Sequence, residues 1–317
     1  MAEHIRQLSD LRHASGRLNL EGIEHDRFFA NYQSVYSKTF AVSLLVEFLA
    51  VLLFSFIGTT VKDPYGPIGN GLALAALIYT AADISGGHLN PAVTLSILLG
   101  GYYPLIHSVL YVIMQITGAI FGSLFAVALV PGVAIGMGGK GPGCFTEADA
   151  AAAGVSNTRV FGWETLMTFA LISVVYACGV AKPGHGGFTP LAVGSILAAC
   201  AATGGMYSGA FLNPARVLGP VAVFKGDCGS RLTFLTILGQ ILAATLSCGV
   251  FAFVSGMGPF HPSTSQRVLG LSRAESMHMW VTGSPPVRLT PGRNDENIIG
   301  LENSITKRGR AAAPDTW

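Results

Sequence analysis

Few residues in this 317-residue chain could do chemistry, and their placement limits what that chemistry is. Two carboxylates, Glu47 in VEFLAVLLFSFIG and Glu164 in WETLMTFALISVV, lie inside long apolar stretches, and two amides, Asn90 and Asn213, each open an Asn-Pro-Ala triplet. A carboxylate pair can act as acid and base when both reach one substrate. These two fall in separate halves of the chain, with no His/Cys cluster beside them. An intramembrane enzyme is therefore the weaker reading. Five cysteines without a Cys-x-x-Cys pair supply neither a zinc site nor a disulfide framework, so no metal or cofactor is expected. A charge within an apolar segment is costly and faces a cavity or the protein interior. Glu47 and Glu164 read as structural supports.

The amides carry more information. SGGHLNPAVT, residues 85–94, nearly recurs 123 positions later as SGAFLNPARV, residues 208–217. Asn is among the best helix N-caps, because its side-chain oxygen accepts a backbone N–H of the first turn. Pro suits the first helical position, where its missing N–H would have gone unpaired anyway. Asn90-Pro91-Ala92 and Asn213-Pro214-Ala215 are thus two helix starts, with alanines small enough to let the starts abut. One Asn-Pro alone marks an ordinary turn, but the shared S-G-x-x-L-N-P-A pattern does not. Immediately upstream, Gly86, Gly87 and His88, and likewise Gly209, Ala210 and Phe211, must be non-helical. Such backbone is tolerated at membrane depth only where protein buries it or water solvates it, which predicts carbonyls lining a wet file.

The elements that position these boxes follow from composition. Half of the residues are hydrophobic, 11% are charged, Gly occupies 40 positions and the mean hydropathy is +0.52; a soluble domain carries about a quarter charged residues. A net charge of +2 does not suggest nucleic-acid binding. Six apolar stretches are long enough to span a bilayer: 40–61, 69–84, 104–130, 159–180, 188–206 and 231–256. The second of them reads short. Two further stretches, 91–100 and 214–224, have about half the length needed and read as re-entrant half-helices. Each half of the chain then holds three spans and one half-span, and an odd number of crossings inverts the second half relative to the first. An inverted repeat of this kind builds its site at the midplane.

The expected fold is an all-α membrane protein with six transmembrane helices and two half-helices. Residues 39–256 form the membrane domain, with repeat one at about 39–130 and repeat two at about 159–256. Residues 1–38 and 257–317 are tails. Twelve of the 19 Lys/Arg lie in these tails, which places both of them in the cytoplasm by the positive-inside rule. The first tail lacks the pattern of a cleaved signal peptide.

At these residues, over roughly 38–256, the chain resembles an aquaporin of the major intrinsic protein family, most like plant tonoplast and plasma-membrane members in its two boxes. The resemblance implies a homotetramer in the lipid bilayer with one pore per subunit, passing water or small neutral solutes. It implies that Glu47 and Glu164 hold the loops bearing the boxes. It also implies a selectivity filter at four positions, here Asn70, Ala201, Ala210 and Arg216. Arg216 fits the family pattern as a fixed cation with five donors. Asn70 and Ala201 replace an aromatic and a His of water-selective members, so a wider filter passing glycerol or urea is expected. A strictly water-selective channel and a non-conducting junction protein remain as alternatives.

Val217 stands where glycerol-conducting members carry Asp, and Thr236-Ile237 where water channels carry an aromatic pair. His185, in AKPGHGG, matches a gating His of some plant relatives, though a loop His is more often merely solvated. Cys144 and Cys228 fall in loops of the same side, where a disulfide could pin the loops, with two free thiols the blander and favoured expectation. Arg267, Arg273, Arg288 and Arg293, near Ser or Thr, form weak matches to phosphorylation or sorting sites.

Overall fold

The computed structural model describes residues 38–62, 64–181, 184–255 and 281. The expectations for the two tails, including the sites near Arg267, Arg273, Arg288 and Arg293, lie outside the described residues. Helix α1 spans Lys38–Thr60, α2 Gly66–Ser85, α3 Pro91–Leu99 and α4 Leu105–Leu129. A short helix α5, Glu147–Ala152, follows in the long central loop. Then come α6 Asn157–Val175, α7 Thr189–Ser208, α8 Pro214–Phe224 and α9 Arg231–Ser255. Six of these are long and apolar enough to cross a membrane, and α3 and α8 are the two half-length pieces.

The spans agree with the sequence reading to within a few residues, with one exception. The second is a full 20 residues, because its helix begins at Gly66 with Pro67 in the first turn rather than at Gly69. Proline is accommodated there without losing a hydrogen bond. Two smaller elements were not expected. Helix α5 is started by a capping box in which Thr146 Oγ1 accepts from the Asp149 N–H while the Asp149 carboxylate accepts from the Thr146 N–H. Helix α6 ends in a π-helical turn at Tyr176–Val180.

Following the chain through the bundle gives two faces: a terminal face, where α1 begins and α9 ends, and a loop face, where α1 ends and α9 begins. After α2 the chain turns back into the bundle, and α3 runs from its middle to the terminal face. After α7 it does the same from the other side, and α8 runs from the middle to the loop face. The halves are interlocked, since α3 packs on α9 and α8 on α4 as well as on neighbours of their own repeat.

Small residues make these approaches possible. At the crossing of α2 and α7, a Cβ built on Gly71 would lie 2.5 Å from the Gly194 carbonyl oxygen, and one on Gly219 of α8 would lie 2.6 Å from the Ala119 oxygen of α4. Either substitution would force the backbones apart. Gly71 and Gly194 are themselves 123 positions apart, so the repeat axis passes between them. The faces turned outward are apolar: Leu45, Leu49 and Leu53 of α1, Leu72 of α2 and Phe234 and Leu238 of α9 are exposed, as a lipid-facing bundle requires.

The candidate pore

Each box is held by one buried carboxylate. Glu47 is fully buried; its Oε1 accepts from Ser85 Oγ at 2.7 Å and from the His88 N–H at 3.0 Å, and its Oε2 accepts from the Leu89 N–H at 2.8 Å and Gln115 Nε2 at 2.7 Å. Glu164 repeats this arrangement: Ser208 Oγ at 2.8 Å and the Phe211 N–H at 3.0 Å meet Oε1, while the Leu212 N–H at 3.0 Å and Gln240 Nε2 at 2.8 Å meet Oε2. With four donors apiece, these carboxylates are committed to the loops. Gln115 and Gln240 were missed in the sequence, although a glutamine in the middle of an apolar span is itself a signal of a buried network.

The loops take a conformation that only such anchoring can hold. Gly86 and Gly209, Gly87 and Ala210, and Leu89 and Leu212 all have positive φ, with values of 50° and 52° at the two leucines. A left-handed non-glycine residue costs about 1–2 kcal/mol. Asn90 and Asn213 then cap α3 and α8, each accepting from the N–H two residues on, at 2.8 Å and 2.9 Å. Their Nδ2 atoms cross the repeat axis: Asn90 donates to the Leu212 carbonyl and Asn213 to the Leu89 carbonyl, both at 2.8 Å. One N–H of each amide is thereby spent in joining the repeats, and the other is left for the space between.

A cavity runs from the terminal face to this junction. Val180 and Thr189 border its outer part, Val93, Val193 and Ile78 its middle, and Asn90, Asn213, Phe211 and Phe54 its inner end. Beyond lies Arg216. Its guanidinium donates to Asn70 Oδ1 and, from Nη2, to the Gly58 carbonyl at 3.0 Å, and its Cζ stands 4.6 Å from the centre of the Phe54 ring. Asn70 is held in turn, donating to the Gly58 and Gly66 carbonyls at 3.2 Å and 2.9 Å. The structure thus brings Asn70 and Arg216 into contact. Ala210 is buried in the adjoining apolar cluster, and Ala201 packs against that cluster.

The repeat counterparts of these positions, Val93, Gly87 and Ile78 (123 before Arg216, Ala210 and Ala201) and Val193 (123 after Asn70), all line the cavity.

Cys144 and Cys228 are joined in a disulfide, against the expectation of two free thiols, with Cα atoms 5.2 Å apart. The physical reason is that the central loop lies on the α8–α9 connection, where Asp227 Oδ1 accepts from the Gly139 N–H at 2.5 Å. Loops 84 residues apart in sequence are thereby neighbours in space. His185 is exposed at the terminal face, its N–H bonded to the Cys178 carbonyl at 3.0 Å.

Six spanning helices with two half-helices meeting tip to tip beside a buried, pinned cation are the architecture of a membrane channel. The chain belongs to the major intrinsic protein family, whose sequence pattern matches residues 34–248. It is 34% identical over 243 residues to "Aquaporin TIP2-1" of Zea mays, a match covering 70% of this chain and 92% of that one. It is 35% identical over 227 residues to "Aquaporin TIP2-3" of Arabidopsis thaliana, covering 65% and 86%. Among solved structures, the aquaglyceroporin from Plasmodium falciparum matches with a TM-score of 0.56 over 68% of this chain and 97% of its own, at 20% identity, a likeness of fold. The protein is an integral membrane channel and not an enzyme.

Proposed function

We propose that this channel passes water together with small neutral solutes of the size of urea and glycerol, and excludes protons and other ions. The observation that carries this reading is Arg216. Its charge is fixed by Asn70 and Gly58, while its Nε has no hydrogen-bond partner among the described residues. A guanidinium bonded only to neutral groups keeps its charge in place beside the file and repels other cations.

Transport then proceeds without a chemical step. Water enters the apolar cavity at the terminal face and meets the free amide hydrogens of Asn90 and Asn213 at the centre. There the positive ends of α3 and α8 face the file, which opposes cations and disfavours a continuous proton wire. At Arg216 a neutral solute gains a donor, and a cation is repelled. Solutes beyond water are supported by what flanks Arg216: Ala201 and Ala210 add little bulk, and Asn70 is engaged by the arginine. Gly86, Gly87, His88, Gly209, Ala210 and Phe211 carry the lining backbone.

The terminal face is taken as cytoplasmic from the charge of the tails, and the exposed apolar helices as the surface for lipid and for three further copies in a homotetramer. The match to TIP-type sequences favours a vacuolar membrane, and localisation of tagged protein to the plasma membrane would overturn that.

The test is stopped-flow light scattering on proteoliposomes. Swelling with water, glycerol and urea is expected. Swelling with water alone would make the channel strictly water-selective, and no swelling would make it a non-conducting junction protein.

A further inference from the structure

Arg216 is the long cation of its repeat, and how much of the file it takes up depends on where its guanidinium is seated. We propose that Gly58 of α1, by lacking a side chain, provides that seat and so acts as a positioning residue for solute selectivity; the inference rests on the channel reading above.

Gly58 is buried near the end of α1 and meets the guanidinium in two ways. Its carbonyl accepts from Arg216 Nη2 at 3.0 Å and from Asn70 Nδ2 at 3.2 Å. Its Cα is bare where the guanidinium packs: a Cβ built there would lie 2.6 Å from Nη1 and 2.9 Å from Cζ, and would also run into Asn70 Oδ1. Optimal contact between heavy atoms is about 3.5–4.0 Å, so any side chain at this position displaces the guanidinium. Phe54, one turn earlier on the same helix, completes the seat with its ring centre 4.6 Å from Cζ. An aromatic face attracts a cation placed over it.

The other repeat has the same group of positions without a seat. At the separation of Glu47 and Glu164, which is 117 residues, the counterparts of Phe54 and Gly58 are Leu171 and Val175; those of Asn70 and Arg216 are Val193 and Val93. All four counterparts line the large cavity, as Phe54 does at its inner end. The group therefore stands along the file in both repeats. Where a short valine replaces the arginine, a valine also fills the place of the glycine; where the long cation stands, that place is empty. With α1 and α2 holding the guanidinium from one side, a side chain at position 58 pushes it off their wall and into the file. Pore diameter and lining charge are both terms of selectivity, and Gly58 bears on each through Arg216.

The experiment is a double-mutant cycle in proteoliposomes, with Gly58→Ala made in the wild type and in Arg216→Val, and water, urea and glycerol flux measured for each. In the wild-type background Gly58→Ala is expected to lower the glycerol-to-water ratio severalfold. In the Arg216→Val background the same change is expected to leave the ratio where that variant has it, because no guanidinium is left to displace. A ratio unmoved by Gly58→Ala in channels that still conduct water overturns the proposal, and so does an equal fall in both backgrounds, which would mark a packing effect independent of the arginine. A wild type that conducts no water overturns the channel reading instead. A second arm leaves Gly58 untouched: Val93→Arg is expected to cut water flux, and Val93→Arg with Val175→Gly to restore part of it by building a seat in repeat one. No relief from Val175→Gly in folded protein overturns the proposal equally.

Discussion

Glu47 and Glu164 hold their loops with matching sets of donors, yet the residue three positions past each Asn is Val93 in one repeat and Arg216 in the other. The repeats thus agree where a side chain satisfies backbone and differ where it faces the file. Agreement is dictated by physics: a non-helical loop at membrane depth leaves the same N–H groups stranded in either orientation, and one carboxylate answers them. The lining is under no such constraint. Valines and an isoleucine make the terminal-face half an apolar vestibule, while Arg216 and Asn70 place a cation and an amide in the other half.

The strongest way to test the agreement is to remove the supports one at a time. Glu47→Ala or Glu164→Ala would strand two backbone N–H groups, a serine and a glutamine, each costing about 1–3 kcal/mol. The sum rivals the whole stability of a typical domain. Both variants are expected to lose folded protein, to similar extents, in thermal melts and yield from detergent. A large difference between them would show that one loop is held by something besides its carboxylate.

The next effect breaks the difference. Arg216→Val makes the filter resemble the vestibule, and Val93→Arg the reverse. Losing a buried charge-assisted donor set is worth about 1.5–3 kcal/mol, so proton or cation leak through Arg216→Val is expected to rise about ten- to a hundredfold in pH- and potential-sensitive dye assays. Ion exclusion unchanged in that variant would assign it wholly to the half-helix ends. At the same site Ala201→His with Asn70→Phe is expected to reduce glycerol and urea flux. The single variants separate two effects, since Ala201→His adds bulk while Asn70→Phe also releases the guanidinium from its Oδ1 partner.

Most of the fold was legible in the chain because each signal was local. Span lengths, the Asn-Pro helix starts and the two acids in apolar runs are properties of short windows. What escaped depends on distant partners. Nothing near Asn70 in sequence says that its oxygen will meet Arg216, 146 positions on, or that Cys144 lies on Cys228. The cysteine pairing is set by the path of the central loop over the α8–α9 connection, and Asp227 with Gly139 reports that path only in three dimensions. The glutamines were readable in principle, as polar groups in apolar spans, but their role appears only beside the carboxylates.

The smallest expected effect lies in a polar mismatch behind the loops. In repeat one Thr94 is buried and joins three groups: its hydroxyl donates to the Asn90 carbonyl at 3.0 Å, accepts from Gln115 Nε2 at 3.0 Å and stands 3.2 Å from His88 Nδ1. In repeat two Val217 takes its place, and Gln240 Oε1 is left buried without a hydrogen-bond partner. A single buried hydrogen bond is worth about 1 kcal/mol net. Thr94→Val should therefore lower the thermal midpoint by more than that bond alone, because it also strips a partner from His88. Val217→Thr should raise the midpoint slightly by giving the repeat-two glutamine a hydroxyl to accept from. If Val217→Thr instead destabilises the protein, the site around Gln240 is shaped for the valine, with no room for the hydroxyl to reach it. The two repeats would then differ in packing behind the loops as well as in what lines the file.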